Sequence, residues 1–255
     1  MVSGSYFFCA DRGIHVYDNI FIKIRPQQRI RCEEITKKTD VWFKILEVIG
    51  DLIMRIHFRE LTKLQPTLIS TVIKLVEETG ELSREIQRFN TDRHENINEL
   101  LGELMDVAQT TATLTFVLEH HNSSTIYKAM ELHLCKLKDK GYIHSKQIGE
   151  ISLKDGQLVM FLPRLDIQPD LTQTFLKLTE EAGELVQIVG KRSGLSGESR
   201  NLLEGRERDI ELSLALLDVA QCCVTMLYIM AESYNVDVGK LMEHHENKLR
   251  EHGYL

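Results

Sequence analysis

The chain repeats itself. KLVEETGEL from Lys74 to Leu82 returns as KLTEEAGEL from Lys177 to Leu185, identical at seven of nine positions. A second match follows each copy, LMDVAQ from Leu104 to Gln109 and LLDVAQ from Leu216 to Gln221. The offset between copies is 103 residues at Lys74 and Lys177, and it also links Gln65-Pro66 to Gln168-Pro169. From Leu104 and Leu216 onward it is 112, and it holds to the tails, where Lys136-Leu137 and Gly141-Tyr142 match Lys248-Leu249 and Gly253-Tyr254. The second copy thus carries nine extra residues (112 minus 103), in the Ser193 to Arg208 stretch rich in glycine, serine and charge. Register kept on both sides of an insertion marks duplication of a folded unit, and two copies suit a pair rather than a solenoid.

Apolar residues recur at helical spacing through both copies, and the prolines lie outside the helix interiors, so the expected fold class is all-α. Three helices are predicted per copy, at about 67–89, 95–120 and 124–140, then at about 170–191, 206–234 and 237–252. Pro66 and Pro169 suit a first helical turn, where no N–H is needed, and Thr67 or Asp170 can offer an oxygen to the free amides. Gly141 and Gly253 are natural stops for the last helix of each copy. Three helices alone leave an apolar face open, so the two copies are expected to pack against each other about a pseudo-twofold axis.

Outside the repeats, Val41, Ile45, Val48, Ile49, Leu52, Ile53 and Ile56 predict an amphipathic helix over Asp40 to Leu64, with Trp42 in the core. Ile14 to Tyr17 and Ile20 to Ile24, split by Asp18-Asn19, predict a small β-hairpin. A second short hairpin is expected where Lys154-Asp155-Gly156 divides the apolar stretches of Ile148 to Leu162. The domain reading is an N-terminal extension (1–38), a first repeat (39–145), a linker (146–166) and a second repeat (167–255).

A net charge of −7 with no basic tract argues against nucleic acid or an anionic membrane as partner. No run approaches the roughly 18 apolar residues of a membrane helix, and the first residues lack the layout of a secretory signal. The five cysteines have no CxxC spacing and read as thiols of a reducing cytosol, so a cytoplasmic location is expected. An acidic protein that handles phosphates must bring its own cations.

The carboxylates suggest how. Residues three apart share a helix face, so Glu78 pairs with Glu81 on one helix and Glu103 with Asp106 on the next. Four carboxylates from two facing helices suit a hard cation such as Mg²⁺, which prefers oxygen ligands and keeps waters for substrate phosphate. Glu103 and Asp106 stand among Leu100, Leu101, Leu104, Val107 and Ala108, where like charges repel unless neutralised. Gly80 costs roughly 1 kcal/mol inside a helix and is expected to permit close approach of another backbone or a ligand.

Glu77-Glu78-x-x-Glu81 followed by Glu103-x-x-Asp106 resembles the motif of MazG-like proteins, in the all-α nucleoside triphosphate pyrophosphatase superfamily. The resemblance covers about residues 64–142 and, more weakly, 167–255. It implies tandem MazG-like helical bundles packed as a pseudo-dimer. Glu78, Glu81, Glu103 and Asp106 would be the catalytic and metal-binding residues, with Mg²⁺ or Mn²⁺ as cofactor. The implied reaction is hydrolysis of a nucleoside triphosphate to the monophosphate and pyrophosphate. Members of that family usually pair subunits, so a homodimer is a further implied state.

The second copy departs from the pattern. Glu181, Glu184 and Asp218 align, but Ala215 stands where Glu103 does, so this half is expected to be degenerate. Arg88 and Lys191 lie two turns beyond their acidic motifs on the same face, where they could meet a phosphate. Lys136, Asn247 and Lys248 on the final helices are further substrate-binding candidates. Adjacent histidines point in different directions on a helix, so His120-His121 and His244-His245 read as surface or helix-end residues. A non-catalytic nucleotide-binding or assembly protein is the alternative reading. A di-iron bundle would want Glu-x-x-His, which the chain lacks.

Overall fold

Helical periodicity becomes helix at each of the six places predicted within the two repeats. The computed structural model describes residues 15–17, 20–22, 54–91, 96–121, 125–195, 197 and 206–255. Two compact units divide the chain, Met1–Leu52 and Ile53–Leu255. In the first, β1 (His15–Tyr17) pairs antiparallel with β2 (Ile20–Ile22), as the Asp18-Asn19 break predicts. The predicted helix segment from Asp40 to Ile53, with Trp42, lies outside the described residues.

The second unit holds both repeats. It begins with β3 (Arg55–Arg59) and continues with α1 (Leu68–Thr91), α2 (Ile97–His121) and α3 (Thr125–Asp139). After β4 (Glu150–Lys154) and β5 (Gln157–Phe161) come α4 (Leu171–Arg192), α5 (Arg206–Tyr234) and α6 (Val238–Glu251). The protein is therefore mostly helical, with a small three-stranded antiparallel sheet in the order β3-β5-β4.

That sheet corrects one expectation and bears out another. The helix predicted through Leu64 is strand at Arg55–Arg59, while the hairpin expected around Lys154-Asp155-Gly156 forms as β4 and β5 and pairs with it. Arg55-Ile56-His57-Phe58-Arg59 alternates strictly, and Ile56 and Phe58 are both buried while their neighbours face outward. Period-two alternation wins because Met160 and Leu158 of β5 lie opposite Ile56 and Phe58. Asp155 and Gly156, both at positive φ (53° and 69°), form the two-residue turn between β4 and β5.

Helix ends follow local chemistry. Thr67 Oγ1 accepts from the Ser70 amide, and Asp170 accepts from Gln173 in a reciprocal capping box. Pro66 and Pro169 precede these caps rather than sitting within the first turn. At the far ends, Tyr142 N–H donates to the Leu137 carbonyl and Tyr254 N–H to Leu249, both 2.9 Å. Gly141 and Gly253 turn at positive φ in each case, so both copies close in the same way.

The repeats share one core. α1 packs on α2 and α4 on α5, while α1 also meets α4 and α2 meets α5. Leu75, Leu82, Leu104, Leu178, Leu185, Leu216 and Leu227 belong to a single buried cluster. The final helices cross over: α3 of the first repeat lies along α5, and α6 of the second touches α2 and β3. Burying the open face of each repeat at roughly 25 cal/mol per Å² of apolar area favours this joint core over two isolated units. The buried α5 also corrects a reading. Asp209–Tyr234 is long and apolar enough to cross a membrane, yet its most apolar stretch is largely buried inside the protein. A central core helix needs the same composition.

Candidate metal centre

Glu78 is brought to α2 by the face of α1 that carries Leu75, Leu82 and Ile86 into the core. Ligand oxygens of Glu78, Glu103 and Asp106 lie within 4.8 Å of one another. Among the described residues, this is the one group with such spacing. Glu81 stands beside the triad rather than in it. It is half-buried and 3.9 Å from Arg84, and its charge acts on both Glu78 and Glu103. The four-carboxylate set expected from spacing is thus three together and one adjacent.

Electrostatics mark the triad as short of positive charge. Desolvation raises the Glu78 carboxyl despite a 2.6 Å ion pair from Lys74, with Asp106 and Glu81 adding to the rise. Desolvation also raises Glu103, followed by repulsion from Glu81, Asp106 and Glu78, and Lys248 only partly offsets it. The donor set fits a hard divalent cation, which takes carboxylate oxygens and would relieve these like charges.

A stability test follows. A carboxyl whose folded pKa is raised favours folding below its unfolded pKa, and that contribution is lost as pH rises through the folded value. Without divalent cation, Glu103→Gln should therefore stabilise the protein at pH 7 by about 0.2–0.5 kcal/mol per relieved like-charge contact. The gain should vanish near pH 4. Melting curves in chelator at the two pH values check this, and a loss of stability at pH 7 would contradict the charge argument.

The second repeat reaches across to this centre. Lys248 on α6 places Nζ 2.6 Å from Asp106 Oδ2, and His245 places Nδ1 3.7 Å from Oδ1. His245 is buried, not the surface residue that adjacency to His244 suggests. Desolvation holds its imidazole down at about 4 despite Asp106. His245 Nε2 and Gln109 Oε1 are buried without hydrogen-bond partners.

The reciprocal contact is tighter. His133 and Lys136 on α3 meet Asp218 of the second repeat, at 3.1 and 2.5 Å, and His133 Nε2 lies 3.4 Å from Gln221 Oε1. Sequence reasoning passed over His133 and His245 as a pair. The signal was present: His-x-x-Lys-Leu occurs at His133 and again at His245, at the same 112-residue offset. The glutamines also have a job in both copies. Gln109 Nε2 donates to the Arg59 carbonyl at 3.1 Å and Gln221 Nε2 to Pro163 at 3.0 Å. Each holds the chain that leads into its own acidic helix.

Asp218 gives a second test. Burial pushes its carboxyl up, but hydrogen bonds and charge from His133 and Lys136 outweigh this and hold it below the usual carboxylate range. Its stabilisation is present above the unfolded pKa and is lost as pH falls through the folded one. Asp218→Asn should cost about 2–3 kcal/mol at pH 7 and less in acid, as urea titrations would show.

Each half has a cleft beside its acids. The first, about 370 Å³, is lined by Lys74, Glu78, Asp106, Gln109, Leu249 and Tyr254, among others. The second, about 170 Å³, is lined by the residues at the equivalent positions, Lys177, Glu181, Asp218, Gln221, Leu137 and Tyr142. In the second, Lys177 pairs with the buried Glu181 at 2.6 Å, Glu184 is exposed, and Ala215 is buried without a carboxylate to offer.

Other candidates fall elsewhere. Arg88 pairs with Glu85 at 2.8 Å, Asn247 accepts from Arg250 at 3.0 Å, and Lys191 is half-buried in the last turn of α4. His120 is an exposed partner of Glu60, as a surface role predicts. Gly80 is exposed, and a Cβ there would meet nothing within 4 Å, so no backbone approaches it as its helical cost suggested. Cys135, Cys222 and Cys223 are free thiols.

Compared with protein-family models, curated proteins and solved structures, the chain matches none.

Proposed function

We propose that this chain is a divalent-cation-dependent nucleotide pyrophosphohydrolase, built as two MazG-like bundles packed as a pseudo-dimer. The reading joins the motif resemblance to one observation. Glu78, Glu103 and Asp106 gather within 4.8 Å, and Glu78 and Asp106 line a cleft with Lys74. A nucleoside triphosphate is the substrate class that uses both parts, an apolar-walled cleft for the nucleoside and cations for the phosphates.

Glu78, Glu103 and Asp106 would hold Mg²⁺ or Mn²⁺, which supplies charge neutralisation for phosphate oxygens and makes a bound water more acidic. The chain's own groups do the rest. Lys74 and Lys248, each resting on a triad carboxylate, would be released to meet phosphate oxygens if a cation took those carboxylates. Glu81, beside the triad, is left to orient water and accept its proton. Water oxygen bonds to the α-phosphorus, the bond from that phosphorus to the bridging oxygen breaks, and pyrophosphate leaves with the electron pair.

The test is a pyrophosphate-release screen over canonical, deoxy and modified triphosphates with Mg²⁺ and with Mn²⁺. Turnover that chelator abolishes, with monophosphate and pyrophosphate as products, is expected. Activity that survives chelator, or diphosphate and orthophosphate as products, would overturn the chemistry. Nucleotide binding without any turnover would replace it with a binding role.

A further inference from the structure

The two clefts carry opposite charge balances. Among the residues lining the first cleft, Glu78 and Asp106 face Lys74, two carboxylates against one ammonium group. The second cleft has Glu181 and Asp218 against Lys136, Lys140 and Lys177, two carboxylates against three ammonium groups. Ala215 removes the third carboxylate, and Lys136 and Lys177 already sit at 2.5 and 2.6 Å from the remaining two. Lys140 at the rim is exposed and lies over the Tyr142 ring at 5.8 Å, so a positive charge faces the opening.

An independent feature points to a ligand. Glu181 is 5% exposed and lines this cleft, yet its Oε2 is buried with no hydrogen-bond partner. An orphaned buried carboxylate oxygen carries a desolvation cost that a ligand N–H donor would remove. Leu137, Tyr142 and Ile167 supply apolar walls, and about 170 Å³ is well below the roughly 300 Å³ at which drug-sized pockets begin. The space therefore takes a planar base with an N–H donor at its inner end, and leaves the sugar and anionic group of the same ligand outside it, on the Lys140 side.

We propose that the second-half cleft is a metal-independent binding site for a nucleoside monophosphate, with the base donating to Glu181 Oε2 and the phosphate facing Lys140. The choice of a nucleotide rests on the reading that the equivalent cleft of the first half takes one; the charge balance and the orphaned oxygen do not.

The experiment is calorimetric titration of the full chain in EDTA with each common nucleoside monophosphate, and with inorganic phosphate as control. At least one nucleotide should bind at one site per chain, and phosphate alone at least tenfold more weakly. Glu181→Gln should weaken that binding tenfold or more, Lys140→Glu should weaken it too, and Glu78→Gln should leave it in place. Lys140 is exposed, so its variant decides the matter if Glu181→Gln fails to fold. No nucleotide binding in EDTA, phosphate binding as well as nucleotide, loss in Glu78→Gln equal to that in Glu181→Gln, or full binding by Lys140→Glu would each overturn the proposal. Turnover with Mg²⁺ is scored separately. Binding in EDTA without turnover sinks the hydrolase reading and leaves this site standing; turnover without binding in EDTA does the reverse.

Discussion

Glu78→Gln and Asp106→Asn should each lower turnover by at least about 10³-fold, whereas Glu181→Gln should lower it only a few-fold. The contrast comes from what each carboxylate can do. Glu78 and Asp106 stand within 4.8 Å of Glu103, so an amide at either position removes both a ligand and a charge offsetting the cation. Glu181 has Ala215 where a third carboxylate would be, and Lys177 holds its Oε1. Its loss reaches the first half only through packing. Circular dichroism shows whether the fold is kept, and a Mg²⁺ titration separates lost metal from lost chemistry. Equal losses from Glu78→Gln and Glu181→Gln would mean that the second half supplies an essential ligand.

Lys248→Met should cost about 10²-fold in kcat/KM, although Lys248 belongs to the other repeat. Its Nζ lies 2.6 Å from Asp106 Oδ2 because α6 crosses over to α2. The side chain is 39% exposed, so removing the charge leaves the core intact and any fall in rate reports on the site. Methionine keeps the apolar stem and deletes the ammonium group. An unchanged kcat/KM would show that the crossover positions Lys248 for stability alone.

Much of the architecture was legible because it depends on local chemistry repeated twice. The six described helices follow from apolar spacing, and four of their ends follow from Thr67, Asp170, Gly141 and Gly253. Arg55–Arg59 was misread because Ile53 and Ile56 also fit a helical spacing, and only a partner strand makes the alternation of Ile56 and Phe58 decisive. Such a partner is about 100 residues away (Arg55 pairs with Phe161), beyond what a local window registers. The expectation that no run is apolar enough for a membrane helix missed α5 for a related reason. Hydropathy reports what a helix must hide, and the surrounding helices are what hide it.

By itself, the sequence determined that there are two related helical units and that the first carries Glu78, Glu81, Glu103 and Asp106 at helical spacing while the second lacks one member, at Ala215. Those are properties of spacing along a helix, where 3.6 residues per turn decides which side chains share a face. Only the tertiary structure decided that Glu81 stands beside the triad, and that His133 and Lys136 serve the other repeat's Asp218 while His245 and Lys248 serve Asp106. Which helix a side chain meets is set by how the open apolar faces of two three-helix units are buried together, and that joint burial exchanges α3 and α6 between them.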